Sequence, residues 1–145
     1  TPSQARDLLP AMKRLSRKYR VSLKLDCSFT PFICHHRPAK KVLEFFAIMG
    51  CDAGNWLIGV SPAGMVSPCS FVEGDVCAVS ELPGIWKDDT TFSVYRDWDR
   101  ETKTACARCD YVSSCKGGCH AVAKFVTGAS LEPDPECPFI AGIGV

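Results

Sequence analysis

The sequence lacks the features of a membrane-spanning or secreted protein. It has no apolar run long enough to cross a bilayer. Residues 1–20 carry charges throughout and contain no apolar core of the kind found in signal peptides. The formal net charge is only +1, which predicts no basic surface for nucleic acid. We therefore expect a cytoplasmic protein that binds neither membranes nor nucleic acid.

Internal repeats and low-complexity segments are also missing, and the bulk composition is that of a globular domain. Hydrophobic residues make up 46% and charged residues 23% of the chain, enough apolar material for a buried core. A length of 145 residues suits one domain or one and a half small ones. The chain begins with Thr1 rather than Met, so we expect a piece of a longer protein whose remainder lies upstream.

Cysteine, in contrast, is abundant, with ten residues in the chain. A secreted chain would pair them as disulfides, whereas a cytosolic one would use them for metal binding or chemistry. The missing signal peptide and the short spacings favour metal. Seven of the ten form one ordered pattern, with Gly64 inside its first gap: Cys51, Cys69, Cys106, Cys109, Cys115, Cys119 and Cys137.

The densest part of this pattern is the segment CARCDYVSSCKGGC at residues 106–119. The two-residue gap between Cys106 and Cys109 lets both thiolates converge on one metal centre. Gly117 and Gly118 allow the backbone to bend tightly and to direct N–H groups at sulfur. The segment therefore predicts a soft-metal or iron–sulfur site.

The first 50 residues predict a helix–strand–helix unit, as expected at the end of a βα-repeat domain. Apolar residues recur at helical spacing over 3–19, where Pro10 should kink or split the helix. The remaining predictions are a half-buried strand at 21–27, a loop at 28–38, and a helix at 40–49 that stops at Gly50.

The second part of the chain predicts short elements around turns, giving an α+β fold. A hairpin is expected from 55–60 and 65–69 around the Ser61–Gly64 turn. Further predictions are a loop at 70–84, a helix at 85–95, a polar lead-in at 97–105, a helix at 120–127 closed by Gly128, and an extended segment that ends at Cys137.

The seven-cysteine pattern resembles the SPASM domain, the auxiliary-cluster domain of many radical S-adenosylmethionine enzymes. The resemblance covers about residues 51–139 and is greatest for maturases of the mycofactocin, pyrroloquinoline quinone and haem pathways. It implies that residues 1–50 are the terminal helix–strand–helix of a partial TIM barrel. Residues 51–145 would then form the auxiliary iron–sulfur domain, a β-hairpin with short helices.

The resemblance also implies two iron–sulfur clusters, expected to be [4Fe–4S], with interleaved ligands. The distal cluster would use Cys106, Cys109, Cys115 and Cys137. The proximal cluster would use Cys51, Cys69 and Cys119.

A fourth proximal ligand is not evident, since the stretch DAGNWL after Cys51 contains no cysteine. The iron could stay open, or a residue elsewhere could complete the set. The candidates are Cys77, which is the best placed in the sequence, and Cys34, Cys27, His35 and His36. Simpler interpretations compete with these, because Cys27 can be a small hydrophobe at the end of a strand and residues 34–36 can belong to a packing loop.

The radical-generating motif Cys-x3-Cys-x2-Cys is absent, because Val122 stands where Cys115 and Cys119 would require a third cysteine. This chain alone should not cleave S-adenosylmethionine, which would bind only the intact enzyme. The resemblance implies a domain that transfers electrons and positions a peptide or small cofactor-precursor substrate. A peptide-recognition protein and an electron donor would be partners. The alternative is a structural zinc module that binds a protein or peptide.

Overall fold

The structure is a computed structural model that describes residues 2–72, 74 and 76–142. Eight helices are found in this part of the chain: α1 (Pro2–Tyr19), α2 (Thr30–His35), α3 (Lys40–Phe45), α4 (Leu82–Ile85), α5 (Asp89–Arg96), α6 (Trp98–Glu101), α7 (Val112–Cys115) and α8 (His120–Thr127). One sheet joins β1 (Gly59–Val60), β2 (Met65–Ser67) and β3 (Cys77–Ala78) in that order. Two 3₁₀ turns span Cys27–Phe29 and Ala105–Arg108. Over the described ranges, no helix combines the length and apolarity needed to cross a lipid bilayer.

The helix predicted for 3–19 is confirmed, and it runs through Pro10 without a break. The predicted split is therefore wrong. Proline removes one backbone donor from the helix. Buried side chains on both sides of it, Ala5, Leu9 and Met12, hold the two halves against the same core.

The strand predicted for 21–27 is wrong, because no strand is assigned there. Leu23 and Leu25 do pack on the core while Lys24 is exposed, so the alternation of burial is present. A strand also needs a hydrogen-bonded neighbour, and within the described residues this segment pairs with none. The loop predicted for 28–38 is also wrong, since the first 3₁₀ turn and α2 occupy most of it, with Pro31 in the first turn of the helix.

Helix α3 ends at Phe45, earlier than predicted, and Gly50 is not its stop signal. Ala47 instead takes the left-handed conformation just beyond the helix, with φ 47°. Gly50 has a different role, because a Cβ there would overlap the carbonyl oxygen of Cys115. Its N–H donates to the Ser114 carbonyl at 2.7 Å. This glycine lets the first part of the chain pack directly against the backbone of α7.

Two hydrophobic cores are found among the described residues. The larger consists of Leu9, Met12, Ile33, Leu43, Phe46 and Ile48. Tyr111, from the cysteine-rich segment, packs against this core and donates its hydroxyl to the Pro38 carbonyl at 3.1 Å. The smaller core consists of Val66, Cys77 and Phe92. The cysteine-rich segment is therefore anchored to the larger core.

The predicted hairpin is confirmed. Val60 lies opposite Val66 in the antiparallel β1–β2 pair, and Gly64 closes the turn with φ 76°. Strand β3 lies within the loop predicted for 70–84 and pairs antiparallel with β2, with Cys77 opposite Val66. Two residues are too short for an alternation of polarity to be detected in the sequence.

Later elements agree only in part with the prediction. The helix expected at 85–95 is divided into α4 and α5, and Asp88 caps α5 by accepting the N–H of Thr90 at 3.0 Å. Helix α6 lies within 97–105, the polar segment that precedes the cysteine-rich segment. Helix α8 has the predicted bounds and ends at Gly128, whose φ is 82°.

Candidate metal centres

The four cysteines predicted for the distal site converge on one cavity. We use "distal site" for Cys106, Cys109, Cys115 and Cys137. All four line one small cavity, together with Pro31, Cys34, Tyr111, Val112 and Gly117. Cys34, from α2, is therefore a fifth sulfur at this site. The spacing of the cysteines in the sequence could not indicate it, since it lies 72 residues before Cys106.

The second 3₁₀ turn positions Cys106 and Cys109. The Thr104 hydroxyl accepts the N–H of Cys106 at 3.4 Å and caps the turn. Cys109 closes it by donating its N–H to the carbonyl of Cys106 at 2.9 Å. One turn thus brings two sulfurs to the same side, as expected for this spacing.

A left-handed run over residues 116–118 separates the two sites. Lys116, Gly117 and Gly118 have φ values of 50°, 78° and 86°. A Cβ on Gly117 would overlap the indole of Trp98, and one on Gly118 would collide with the side chain of Asp134. The predicted tight bend at the two glycines is confirmed. The chain reverses here, and Cys115 and Cys119 join different groups of sulfurs.

The second group contains the three predicted cysteines Cys51, Cys69 and Cys119, which we call the proximal site. Burial is the main cause of the raised pKa of the Cys69 thiol, and the nearby charges of Cys51 and Cys119 raise it further. The three cysteines are therefore close enough to influence one another's ionisation. Cys27 is also part of this group, because its thiol hydrogen-bonds to Cys119 and Cys51. These bonds favour the protonated form of Cys27 and raise its pKa.

Helix α8 directs its first N–H groups at the proximal sulfurs. The hydrogen bond from Cys27 and the N–H groups of Val122 and Ala121 lower the pKa of Cys119 to about 6. The pKa of Cys51 is also lowered, first by its bond with Cys27 and then by the N–H groups of Ala53 and His120. Unpaired N–H groups at a helix N-terminus stabilise negative charge. This arrangement favours thiolates, the form that binds metal.

The distal sulfurs are less readily ionised when no metal is bound. Burial, followed by the charges of Cys115 and Cys137, raises the pKa of Cys106 to about 11. Burial likewise raises the pKa of Cys137. A hydrogen bond with Cys34 raises the pKa of Cys115. Such thiols lose their protons when a cation binds, so metal binding here would release protons.

Asp134 connects the two sites and was not singled out from the sequence. Its side chain is buried, with 1% exposure, and burial raises its pKa. Its carboxylate accepts the N–H of Cys119 at 3.0 Å and the N–H of Glu136 at 2.9 Å. Its backbone carbonyl accepts the N–H of Cys137 at 3.0 Å. One residue thus fixes the backbone at a cysteine of each site.

His120, next to Cys119, is a local hydrogen-bonding residue. It is buried, and its Nδ1 lies 2.6 Å from the carbonyl oxygen of Ser130. Its ring meets that of Trp98 edge-on, with centroids 5.1 Å apart. Burial lowers its pKa.

The other candidate proximal ligands are placed elsewhere. Cys77, the best placed in the sequence, lies in the smaller core with Val66 and Phe92. His36 bonds through Nε2 to the carbonyl oxygen of Ala5 at 2.8 Å. His35 packs against Phe139, with ring centroids 5.5 Å apart. Among the candidates from the sequence, Cys27 is the residue that contacts proximal cysteines.

The donor set at both sites is sulfur, which suits soft metals and iron–sulfur clusters. Among the residues with a described position, no three His, Cys, Asp or Glu side chains are grouped so as to hold a single metal ion. A cluster binds each thiolate through a different iron atom. Its ligands are therefore spaced more widely than the sulfurs around one zinc ion. The residues at the two sites therefore fit iron–sulfur clusters in the chemistry of their donor atoms.

The chain is similar in sequence to curated proteins named AdoMet-dependent heme synthase and PqqA peptide cyclase. These relatives confirm the resemblance drawn from the cysteine pattern: the chain contains a SPASM-type domain of a radical S-adenosylmethionine family member. No family model matches the chain. No solved structure matches it either.

Three relatives illustrate the similarity. The AdoMet-dependent heme synthase of Methanosarcina barkeri is 28% identical over 98% of this chain and 43% of its own length. The AdoMet-dependent heme synthase of Nitratidesulfovibrio vulgaris is 32% identical over 62% of the chain and 24% of its own length. The PqqA peptide cyclase of Methylorubrum extorquens is 33% identical over 59% of the chain and 24% of its own length. The chain spans less than half the length of these relatives.

Proposed function

We propose that this chain is the auxiliary-cluster part of a radical S-adenosylmethionine maturase, with one [4Fe–4S] cluster at the distal site and one at the proximal site. The main support is that the seven cysteines fall into two groups of sulfurs, and that Cys119 joins the group opposite to that of Cys115. Residues 1–50 would complete a partial barrel formed with upstream sequence. The whole protein would act in the cytoplasm.

The bound clusters would supply one-electron transfer. The residues of the chain set the conditions for it. The N–H groups of α8 favour negative charge at Cys51 and Cys119, and such hydrogen bonds to sulfur raise a cluster's reduction potential. The distal sulfurs instead line a partly enclosed cavity. Because hydrogen bonding and enclosure differ between the two sites, we expect the two clusters to have unequal reduction potentials, which would favour electron transfer in one direction.

The substrate would be a peptide or a small cofactor precursor. Support comes from the relatives, two of which are named heme synthases and one a peptide cyclase. The whole protein would bind S-adenosylmethionine at a third cluster in its upstream part and receive electrons from a donor protein. If the substrate is a peptide, a separate protein that recognises it would be a further partner.

Metal analysis of the anaerobically purified protein tests this proposal. We expect brown protein in which this chain accounts for about eight iron atoms and matching sulfide. Cys106→Ala combined with Cys109→Ala should remove about four iron atoms and leave the proximal centre. Colourless protein with about two zinc ions per chain would contradict the proposal and support the structural zinc module.

Interleaved ligation has its own test. Cys119→Ala should damage the proximal cluster and spare most of the distal one, whereas Cys137→Ala should do the reverse. Loss of only the cluster held by Cys106 and Cys109 in the Cys119→Ala variant would show that the ligand assignment is wrong.

A further inference from the structure

Cys27 is the one sulfur at the proximal site that the seven-cysteine pattern does not include. It is half-buried and begins the first 3₁₀ turn. The preceding residue, Asp26, caps this turn by accepting the N–H of Ser28 at 3.2 Å. The position of Cys27 is therefore fixed by local structure, although it lies 24 residues before Cys51.

The contacts of Cys27 are with the proximal ligands themselves. Its S–H group lies within hydrogen-bonding reach of the sulfurs of Cys119 and Cys51. It also lies 3.4 Å from the carboxylate of Asp26, to which it can donate instead. An apolar packing role would place the thiol among hydrocarbon side chains. Here it faces polar groups and two other sulfurs, so the interpretation of Cys27 as a small hydrophobe does not describe its surroundings.

Three other candidates for the proximal set, Cys34, Cys77 and His36, are engaged elsewhere. Cys34 lines the distal cavity, which already has four cysteines. Cys77 is buried in the smaller core. The Nε2 atom of His36 faces the Ala5 carbonyl. A proximal cluster with three cysteine ligands needs one more donor to saturate its iron atoms, and Cys27 is the thiol that meets this need.

We propose that Cys27 is the fourth sulfur ligand of the proximal site, so that the complete set is Cys27, Cys51, Cys69 and Cys119. This inference rests on the proposed function, since it requires an iron–sulfur cluster at this site. On binding, the S–H bond of Cys27 breaks, its sulfur bonds to iron, and the proton passes to water. With these four cysteines the site would leave no iron position open to substrate, and a cluster held there would supply electron transfer only.

The ligand set also has a structural consequence. Cys27 lies in the part of the chain assigned to the barrel end, whereas the other three ligands lie in the auxiliary part. The proximal cluster would bridge the two parts covalently through iron. Binding of the cluster would therefore stabilise the junction between them, as metal ligation stabilises the fold that presents the ligands.

The test compares Cys27→Ala with Cys77→Ala, which removes a buried cysteine outside both sites. Both are purified anaerobically as the full-length protein, and iron content and EPR spectra are measured. After mild oxidation, Cys27→Ala should lose about one iron atom per chain and show a three-iron cluster signal. The Cys77→Ala variant should match the wild type. Equal iron content and EPR spectra in Cys27→Ala and the wild type would overturn the inference.

A measurement on the wild type keeps the inference testable if Cys27→Ala does not fold. Excess S-adenosylmethionine is added to occupy the radical-generating cluster, and a small thiol, 2-mercaptoethanol, is then titrated in. A fully ligated proximal cluster should leave the EPR spectrum unchanged. A new thiol-bound spectrum in the wild type would reveal an open iron atom and overturn the assignment. Wild-type protein lacking iron and sulfide at both sites would instead contradict the proposed function.

Discussion

The buried carboxylate of Asp134 accepts the backbone N–H of Cys119 at 3.0 Å across 15 residues of sequence. The same residue accepts the N–H of Cys137 through its backbone carbonyl, also at 3.0 Å. Asp134 therefore fixes the relative position of one cysteine of the proximal site and one of the distal site. It achieves this without contributing a sulfur.

The first prediction concerns this residue. Replacing Asp134 by Ala leaves the N–H groups of Cys119 and Glu136 without their acceptor, and unpaired buried donors cost about 1–3 kcal/mol in the free energy of unfolding. Urea denaturation should show a loss of this size. Glu132→Ala, in the same segment but exposed, should change the unfolding free energy by less than about 0.5 kcal/mol. Equal effects of the two changes would contradict the role of Asp134.

The second prediction concerns Gly50, where a Cβ would overlap the carbonyl of Cys115. The backbone at Gly50 and the backbone at Cys115 would both have to move, so Gly50→Ala should destabilise the protein by more than about 2 kcal/mol. Iron loading at the distal site should fall with it, since Cys115 belongs to that site.

Gly84→Ala is the matched control. No atom lies within 4 Å of a Cβ built at Gly84, and it is a residue of α4. Alanine there should be neutral or stabilising by up to about 1 kcal/mol. Thermal unfolding distinguishes the two variants, and similar melting temperatures would show that the close approach at Gly50 is not rigid.

The third prediction concerns thiol reactivity in the cluster-free protein. At pH 7, Cys119 should be mostly thiolate because its pKa is lowered to about 6, whereas burial raises the pKa of Cys77. Iodoacetamide labelling followed by mass spectrometry should modify Cys119 at least about tenfold faster than Cys77. Cys27→Ala removes the main cause of the lowered pKa and should slow labelling of Cys119. Comparable rates for Cys119 and Cys77 would contradict the arrangement of the proximal thiols.

The fourth prediction concerns pH. Burial lowers the pKa of His35 from 6.5, so the unfolded chain takes up a proton that the folded chain resists. Stability should therefore fall as the pH decreases below about 6.5. His35→Phe should reduce this dependence, measured by urea midpoints between about pH 7 and pH 5.

The neighbouring histidine provides the control for this experiment. His36→Phe breaks the contact with the Ala5 carbonyl and should lower stability at every pH. Most of the pH dependence should remain, because burial of His35 is the main cause of its lowered pKa and the charge of His36 only a lesser one. An unchanged pH dependence in His35→Phe would show that His35 does not resist protonation. Burial also lowers the pKa of His120, so His120 should contribute to the pH dependence of stability that remains in either variant.

Elements with a strong local signal could be predicted from the sequence. Helix α8 has apolar periodicity and a terminal glycine, and both bounds were correct. The β1–β2 hairpin was likewise indicated by its Pro-Gly turn. The segment 21–27 shows the limit of this reasoning, because alternation indicates which side chains are buried but not whether a neighbouring strand is available to pair.

The candidate sites, too, could be predicted from the sequence only in part. The grouping of cysteines was predictable from the family resemblance, whereas the positions of Cys27 and Cys34 depend on tertiary packing over long sequence separations. Sequence proximity favoured Cys77 as the missing ligand, but its partner across the strand pair, Val66, directs it into the smaller core. Asp134 was missed because its importance lies in backbone hydrogen bonds that no pattern of residue types records.

The left-handed run at Lys116, Gly117 and Gly118 sets how far apart neighbouring members of the two groups of sulfurs can lie. Cys115 and Cys119 flank this run directly, so the backbone angles of three consecutive residues determine the step from one group to the other. If both sites hold clusters, as we propose, the separation of the clusters would be a local property of this segment.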